Sequence, residues 1–396
     1  MLQTWRWFGP DDPVSLDNVR QAGAVGVVSA LHHMNRGQVW SEDEVAKRRA
    51  EIEAGGLVWS VSESIGVGEE IKTRSGAFRA KIDNYKQSIR NAARAGVKTF
   101  CYNFMGLTDW TRTNLNWPLP NGGTALRFDA VDFAAYDLFI LRRQNAEGDY
   151  APDPVAAARE RFEEMTLIEK EELERTLIDW LPARDFTYDQ ESFRRALAAY
   201  KDVTEADLRA NLIEFVREIA AVAEEEGVRL AIHPDDPAFS LFGLPRVMST
   251  ADDYRKLFAG APSQANGMTL CAGSLGSNAR NDVVAMAKEF GPRVHFAHLR
   301  NVKREPDGSF FEADHLAGET DMIRLVAALM AEEDRRRSHG RADAEIPMRP
   351  DHGHLLGDDG RKRVSPGYSF IGRLKGLGEL RGVMQTVEAF RAGRVA

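Results

Sequence analysis

Eight short apolar runs, each followed by a segment with helical signals, limit the folds open to this chain more than any other feature of its sequence. The runs have the composition of strands and lie at Thr4–Phe8, Val25–Ser29, Leu57–Val61, Lys98–Phe104, Arg229–Ile232, Met268–Leu270, Val294–Ala297 and Ile346–Met348. Because parallel strands are joined by crossover helices, this alternation predicts an α/β fold, a parallel (β/α)8 (TIM) barrel. In such a barrel, active-site residues lie on the loops that follow the strands.

The segments between the runs carry helix boundary signals. The sequence SEDEVAKRRAEIEAGG, which begins at Ser41, has acidic residues in its first turn and glycine just past its end, as the helix dipole and the C-cap favour. A second helix is predicted near Ala80–Ala95, before Gly96, and a third begins near Thr204. These signals support the barrel interpretation.

The regular alternation of strand and helix is interrupted after the fourth run. About 125 residues separate that run from the fifth, and a single crossover helix needs far fewer. We therefore predict one barrel domain over residues 1–396, with 109–200 as an inserted, mainly helical subdomain between strands 4 and 5. Within it, Thr108–Asn121 is rich in Trp and Asn, and Pro154–Leu181 has a charged helix pattern. We expect the insertion to cover the barrel mouth or to form a subunit interface.

Two further patterns lie outside this alternation. The charged sequence EEDRRRSHGRADAE, within residues 300–344, predicts a solvated surface loop. The glycine patterns GVGEE and GLGELRG lack the strand, turn and helix context of a dinucleotide site, so we interpret them as turns and helix caps.

Four potential metal ligands, His233, Cys271, His298 and Asp351, each follow one of the apolar runs. If those runs are neighbours in a parallel barrel, the four side chains converge on one point. Imidazole, thiolate and carboxylate together suit a divalent transition ion, and ionised Cys271 and Asp351 balance its two positive charges. His295 cannot point inward together with His298, because side chains alternate along a strand, and His298 is nearer the strand's end. The constellation predicts a metalloenzyme.

Composition excludes several classes of protein. A formal net charge of −8 gives no basic footprint for nucleic acid or an anionic membrane. The two cysteines, Cys101 and Cys271, are too few for a disulfide framework, Met1–Asp12 has no export signal, and no apolar stretch approaches the roughly 20 residues of a membrane span. We expect a cytoplasmic enzyme that acts on a small molecule.

Several segments, in order along nearly the whole chain, resemble one enzyme family. They are TWRWFGPDDPVSL, ALHHMNRGQVW, WSVSES, NYKQSIRNAARAGVKTFCYNFM, TDWTRT, HPDDPAF, TLCAGSLG, HFAHLRNV and RPDHGH. With these segments the chain resembles the D-mannonate dehydratases of the metal-dependent, xylose-isomerase-like barrel type.

The resemblance implies loss of water from D-mannonate to give 2-dehydro-3-deoxy-D-gluconate, a step of hexuronate (glucuronate) catabolism, with Mn²⁺ as the usual cofactor. By motif match, the family's metal positions are His233, Cys271, His298 and Asp351. Its catalytic positions fall on His352 and Tyr368, beside Asp351. Fe²⁺ stays an alternative, because a thiolate ligand favours iron or zinc over manganese.

This reaction needs the residue types that the sequence supplies. A proton beside a carboxylate is very weakly acidic, so a Lewis acid must stabilise the anion that its removal leaves. A base must take the C2 proton, and an acid must protonate the departing C3 hydroxyl. His352 and Tyr368 are the candidates, and the sequence leaves open which is the acid and which the base.

Polar side chains at predicted strand ends are candidates for contact with the acidic substrate. They are Arg6, His32, His33, Asp236, Arg300 and Asn301. Arg300 could clamp a carboxylate with its planar fork or pair with a barrel acid. Asp236 could read a hydroxyl or support His233.

Three alternatives to a dehydratase are weighed. A sugar isomerase or epimerase would use the same barrel, but such barrels usually bind metal through carboxylates, which Cys271 argues against. A zinc phosphodiesterase of the DNA-repair kind needs a basic groove, which the negative charge does not suggest. A silent sugar-binding protein would not need the RPDH and PGYS motifs.

The long insertion favours a homo-oligomer, a dimer or a tetramer.

Overall fold

The computed structural model describes residues 1–179 and 188–394. In these ranges, strands β1 to β12 span Leu2–Arg6, Gly26–Ser29, Val58–Glu63, Thr99–Tyr102, Asn114–Pro118, Thr124–Phe128, Arg229–Ile232, Asn266–Cys271, Val294–His298, Asn301–Arg304, Phe310–Ala313 and Pro347–Arg349. Helices α1 to α14 span Leu16–Gln21, Glu42–Ala54, Glu69–Thr73, Phe78–Arg94, Ala130–Ala135, Pro152–Glu164, Leu167–Glu174, Gln190–Ala198, Glu205–Glu225, Ala251–Gly260, Ala272–Gly276, Val283–Phe290, Met322–Ser338 and Phe370–Arg391. Short 3₁₀ or π-helical turns lie at Tyr136–Ile140, Ala146–Asp149, Arg175–Asp179, Gly291–Arg293 and Gly357–Arg361.

Eight strands close a parallel barrel in the order β1, β12, β9, β8, β7, β4, β3, β2. They correspond to the eight predicted apolar runs, whose ends differ from the strands by at most two residues. The barrel prediction is therefore confirmed. Two predicted helix starts are also confirmed, because the Ser41 and Thr204 side chains cap the backbone of α2 and α9.

A small apolar cluster fills the barrel interior. It consists of Val28, Val61, Cys101, Ala231 and Phe296. Phe296 and His298 share the inward face of β9, as strand alternation requires. His295 lies on the opposite face, where its Nδ1 is 2.8 Å from the Leu230 carbonyl oxygen. Of these two histidines, His298 is thus the one directed at the barrel interior.

The interpretation of EEDRRRSHGRADAE as a solvated loop was wrong, since its first half belongs to helix α13. Glu332, Glu333 and Arg336 are buried there. Arg336 donates hydrogen bonds to the carbonyls of Gly291 and Val294, 2.7 and 2.8 Å away. Charge in this segment therefore fastens α13 to the barrel. The pattern GLGELRG also lies inside a helix, α14, and does not form a cap.

The insertion between β4 and β7 begins with a β-hairpin, which the prediction of a mainly helical segment missed. Its strands β5 and β6 join β10 and β11, from the loop after β9, in an antiparallel sheet of order β10, β11, β6, β5. The Trp- and Asn-rich stretch supplies β5. Helices α5 to α8 follow, and the predicted charged helix is divided into α6, α7 and the turn Arg175–Asp179. Its last residues, 180 and 181, lie outside the described residues.

A second apolar core joins the insertion to the carboxyl end of the barrel. Phe128 of β6 stacks on Phe310 of β11, with ring centroids 5.6 Å apart. Phe133 and Phe193 of the insertion pack on Phe242, which lies in the loop after β7. The insertion thus sits over the barrel mouth, and its description as a subdomain within a single domain stays a prediction.

Across the two described ranges, the helices are too short or too polar for any of them to cross a bilayer.

Candidate active site

A cavity opens among the carboxyl ends of the barrel strands. Its wall includes Arg6, Phe8, His32, Glu63, Asn103, Asp109, Trp110, His233, Asp236, Arg349, Asp351, His352 and Tyr368. Asp109 and Trp110 belong to the insertion, so part of the mouth is built by it. Most of the other residues follow barrel strands, the position expected for an active site in this fold.

Three of the predicted metal ligands form a tight cluster, and one of them, His233, lines this cavity. Cys271 and His298 are the last residues of β8 and β9 and stand opposite each other in the parallel register. His233 follows β7 directly. One ligand atom from each of the three lies within 4.8 Å of the others. Strand ends in register therefore place the imidazoles and the thiol side by side.

Asp351 closes a further side of this cluster. Its Oδ2 lies 3.8 Å from Cys271 Sγ and 3.7 Å from His298 Nδ1. Arg349 and Arg300 each bind the carboxylate, at 2.5 and 2.7 Å. Burial alone raises the pKa of Asp351, but its charged neighbours, Arg349 foremost, outweigh burial and hold that pKa well below its usual value. The carboxylate is ionised at neutral pH.

The donor set fits a divalent transition ion. Burial raises the pKa of the Cys271 thiol, but Arg300 and His233 lower that pKa by more than burial raises it. The thiol pKa therefore lies well below its ordinary value. Ser274 supports the thiolate, with its Oγ 3.0 Å from Sγ. Within the described ranges, the buried Nδ1 of His298 makes no hydrogen bond. Thiolate, imidazole nitrogen and carboxylate are ligands that such ions take in proteins.

His352 and Tyr368 meet at the wall of the same cavity. Tyr368 Oη lies 3.3 Å from His352 Nε2. Their chain segments are joined by a hydrogen bond from the Gly353 amide to the Gly367 carbonyl, 2.9 Å long. Burial, the largest influence, raises the pKa of Tyr368 to about 12, and Arg349 offsets it only in part. The phenol is therefore protonated at neutral pH.

The segment that carries Asp351 and His352 is not extended. Asp351 has φ 70, in the left-handed region that L-residues seldom adopt. This turn breaks the alternation of side chains, so both residues line the cavity, with His352 Nε2 3.7 Å from Asp351 Oδ1. Non-glycine residues with positive φ are frequent at functional sites.

Of the predicted substrate contacts, Arg6, His32 and Asp236 line the cavity. Arg6 pairs with Glu63 at 3.1 Å. Burial, and then the charge of Arg6, lower the pKa of His32 well below its ordinary value, so its ring is neutral.

The other three predicted contacts are not among the cavity-lining residues. His33 lies at the surface and pairs with Glu44, 2.8 Å away. Asn301 donates to main-chain carbonyls at 2.9 and 3.0 Å, and so fixes a loop. Arg300 is buried behind Asp351 and Asp236, which it binds. Their positions do not support the prediction that they contact substrate.

Sequence reasoning missed four charged residues of the site. Glu63 and Arg349 are the last residues of β3 and β12, so the strand-end rule could have found them. Glu312, in β11, and Arg112, just before β5, had no such signal because they belong to the additional sheet. Arg112 binds Asp236 at 3.0 Å and Glu312 at 2.8 Å, and it is buried.

Comparison with known proteins identifies the family of the chain. The family model described as D-mannonate dehydratase (UxuA) matches residues 1–393. The chain belongs to the D-mannonate dehydratase family. Because the match spans barrel and insertion alike, it disfavours the isomerase or epimerase alternative.

Relatives in this family are similar over their full length. The chain is 54% identical to a mannonate dehydratase of Saccharophagus degradans, with 99% of each chain covered. It is 53% identical to mannonate dehydratase 2 of Agrobacterium fabrum, with 98% of each covered. The crystal structure of mannonate dehydratase from Streptococcus suis aligns with a TM-score of 0.76 at 32% identity, covering 99% of this chain and 95% of that one. This chain and the Streptococcus suis enzyme therefore share their fold as well as their family.

Proposed function

We propose that the protein is a hydro-lyase that removes water from D-mannonate to give 2-dehydro-3-deoxy-D-gluconate, in hexuronate (glucuronate) catabolism. The observation that carries the proposal is that Asp351 lies beside the cluster of three potential metal ligands and also next to His352, which meets Tyr368 at the wall of the cavity. Membership of the D-mannonate dehydratase family supports the same reaction.

In this proposal His233, Cys271, His298 and Asp351 would hold a divalent ion, which would supply the Lewis acidity that the reaction needs. We propose Mn²⁺, on the strength of the family resemblance, with Fe²⁺ as the alternative. Cys271 supplies the thiolate that binding needs, whereas His233 has to release a proton before it binds the ion. Burial lowers the pKa of His233, but the Cys271 thiolate outweighs it and the pKa is raised to about 9.

His352 and Tyr368 divide the proton transfers. His352 Nε2 takes the C2 proton, and the electrons of that C–H bond form the C2–C3 double bond as the C3–O bond breaks. Tyr368, whose pKa is raised to about 12, gives its proton to the departing hydroxyl, which leaves as water. The enol then takes up a proton at C3 to become the 2-keto acid. Positioned acid and base groups of this kind typically contribute about 10² to 10⁴ in rate.

Arg6, His32 and Asp236 read the substrate in this proposal. In the part of the chain that the structure describes, Arg6 Nε and His32 Nε2 are buried without a hydrogen-bond partner. Buried polar atoms are rarely left unpaired, so a ligand in the adjoining cavity would satisfy them. The neutral ring of His32 can donate to a hydroxyl or accept from one.

The decisive experiment incubates purified, Mn²⁺-loaded protein with D-mannonate and a panel of other hexonates and follows each by NMR. We expect a 2-keto-3-deoxy product from D-mannonate, and no product after the metal is removed with a chelator. Conversion to an isomer or epimer without loss of water would instead support the isomerase alternative. Loading with Fe²⁺ in parallel compares the two candidate ions.

We also propose a cytoplasmic, homo-oligomeric protein, a dimer or tetramer, that binds a small sugar acid and neither nucleic acid nor membrane. The overall charge of −8 supports the last two points. Light scattering on the eluate of a size-exclusion column measures the oligomeric state directly.

A further inference from the structure

The ring of His352 is held on both sides. Its Nδ1 lies 2.9 and 2.8 Å from the two carboxylate oxygens of Glu312, and its Nε2 faces Tyr368 and the cavity. The Trp110 ring packs edge-on against it, with centroids 5.7 Å apart. The orientation of the imidazole is therefore fixed by neighbours that do not belong to the metal cluster.

Glu312 is itself rigidly placed. Its carboxylate is only 2.8 Å from Arg112 and 3.1 Å from Arg300, and the residue is 4% exposed. Its main-chain oxygen accepts a hydrogen bond from His354 Nε2, 2.8 Å away. Two guanidiniums keep the carboxylate ionised: burial raises the pKa of Glu312, but His352, Arg300 and Arg112 hold that pKa well below its usual value.

An ionised carboxylate only accepts hydrogen bonds, so His352 Nδ1 must carry the hydrogen in this contact. In a neutral imidazole the other nitrogen, Nε2, then has the lone pair. That nitrogen is the one directed at the cavity, and Tyr368 can donate its hydroxyl hydrogen to it. A base needs this tautomer, because the opposite one would present an N–H to the substrate.

We propose that Glu312 is a positioning residue of the dehydration: its carboxylate holds the Nδ1–H of His352, so that Nε2 faces the substrate as the proton acceptor. The inference rests on the proposed function. Glu312 lies in β11, whose partner β6 belongs to the insertion. The additional sheet thus takes part in the reaction through His352 and does more than cover the barrel mouth.

The test compares Glu312→Gln with the wild type, both loaded with Mn²⁺ and assayed with D-mannonate. The glutamine amide can donate to Nδ1 and so stabilise the opposite tautomer. We expect kcat to fall by about 10²-fold or more, with KM within about threefold and full metal content, because an orienting group acts on the chemical step. A Glu312→Gln enzyme with kcat within about threefold of the wild type would overturn the inference.

Glu305→Gln is the matched control. Glu305 lies in the turn between β10 and β11 and binds Arg127 with both oxygens, at 2.7 and 2.8 Å, away from the cavity. The substitution therefore removes a Glu–Arg ion pair next to the same sheet without touching His352. We expect its kcat to match the wild type; a loss as large as that of Glu312→Gln would attribute the effect to the sheet and overturn the inference.

A double-variant cycle separates positioning from general disruption. If Glu312 acts through His352, then Glu312→Gln adds no further loss of kcat to His352→Asn. Losses that multiply would show that Glu312 acts by another route. Should Glu312→Gln fail to fold, Arg112→Met with Glu312→Gln removes both members of a buried ion pair, and it is compared with Arg112→Met alone. The same 10²-fold difference in kcat is expected, and near-equal values would overturn the inference.

The outcome also distinguishes the inference from the function on which it rests. A wild-type protein that does not turn over D-mannonate would overturn the proposed function and the inference with it. An active wild type with an unimpaired Glu312→Gln variant would overturn the inference alone.

Discussion

Cys271 has the properties of a metal ligand in three independent respects. It ends a barrel strand and stands opposite His298. Ser274 and Arg300 stabilise its negative charge. The carboxylate of Asp351 lies beside its sulfur atom. Each respect follows from a neighbour on a different strand or loop. Replacement of the sulfur atom should therefore affect metal binding more than folding.

We predict that Cys271→Ser binds Mn²⁺ at least about tenfold more weakly than the wild type, with its melting temperature little changed, because a serine hydroxyl is not ionised at neutral pH. Chelator competition measures the affinity. Cys101→Ser is the control, since Cys101 is also buried and lies in the barrel interior. Equal losses in the two variants, or none in Cys271→Ser, would contradict the assignment.

His352 allows binding and chemistry to be separated. We predict that His352→Asn keeps its metal and fold while kcat for D-mannonate falls by about 10²-fold or more, the scale typical for loss of an acid–base group. Metal analysis and steady-state kinetics on the same preparation provide the measurement. Near-wild-type turnover with full metal occupancy would show that another residue takes the proton, Tyr368 being the first to test.

The strand-end rule identified potential metal ligands that the structure brings together, because they end parallel strands or follow them closely and the barrel places those strand ends side by side. The same rule also proposed His33 and Asn301, since a sequence does not tell which side chain at a strand end faces the axis. Glu312 could not be found in this way. It lies in a four-residue strand, Phe310–Ala313, and one of the two partners of that strand, β6, is far away in the sequence.

Among the elements, helix α14 positions the loop of His352 through a contact between two glycines. A Cβ atom on Gly372 would lie 2.0 Å from the His354 carbonyl oxygen, and one on Gly353 would lie 2.3 Å from the Gly372 carbonyl carbon. Backbone therefore packs directly on backbone, and neither partner can turn aside. The start of the helix and the loop of His352 are therefore held together by direct backbone contact.

We predict that Gly372→Ala displaces this loop and lowers both kcat and the free energy of unfolding, the latter by about 1–3 kcal/mol, as overpacking typically does. Gly378→Ala in the same helix is the control, because no neighbouring atom lies within 4 Å of its Cβ position. There we expect normal kcat and a gain of about 0.5–1 kcal/mol from helix propensity. Unchanged activity and stability in Gly372→Ala would contradict the contact.

The barrel elements could be predicted because each strand and helix has its own periodic pattern. The additional sheet could not be predicted, because β5 and β6 are short and β5 carries Trp and Asn in place of a clear alternation. In addition, β6 pairs with β11, which comes from a distant loop. The segment with the buried charges of α13 was predicted as a solvated loop for a similar reason. Besides arginines of the same helix, their partners include main-chain carbonyls and the ammonium group of Met1, which no local pattern reveals.

For the molecule as a whole, His295 makes stability depend on pH. Its ring crosses Gly267 on the outer face of the barrel, and burial, above all, lowers its pKa to about 3. In the unfolded chain a histidine has a pKa of about 6.5. As the pH falls below that value the unfolded state takes up a proton that the folded state does not, so stability is lost progressively down to about pH 3.

We predict that this residue alone costs roughly 1.5 kcal/mol of stability between pH 6.5 and pH 5. His295→Gln, whose amide can still donate to the Leu230 carbonyl, should lose correspondingly less than the wild type over that interval. Urea unfolding at the two pH values measures both losses. Equal losses in the two proteins would show that His295 does not contribute to the acid sensitivity.

The pairing of β6 with β11 has a consequence for how this barrel can change. The mouth loops of a (β/α)8 barrel usually act as separate modules, each open to exchange on its own. Here two of them share one sheet, with Phe311 and Arg127 in register across it. If the insertion were replaced by that of a relative, β11 would pair with a strand of different sequence in place of β6, and Glu312 would be held less firmly. An exchange of loops that is meant to change the substrate preference of this barrel therefore has to replace both loops together.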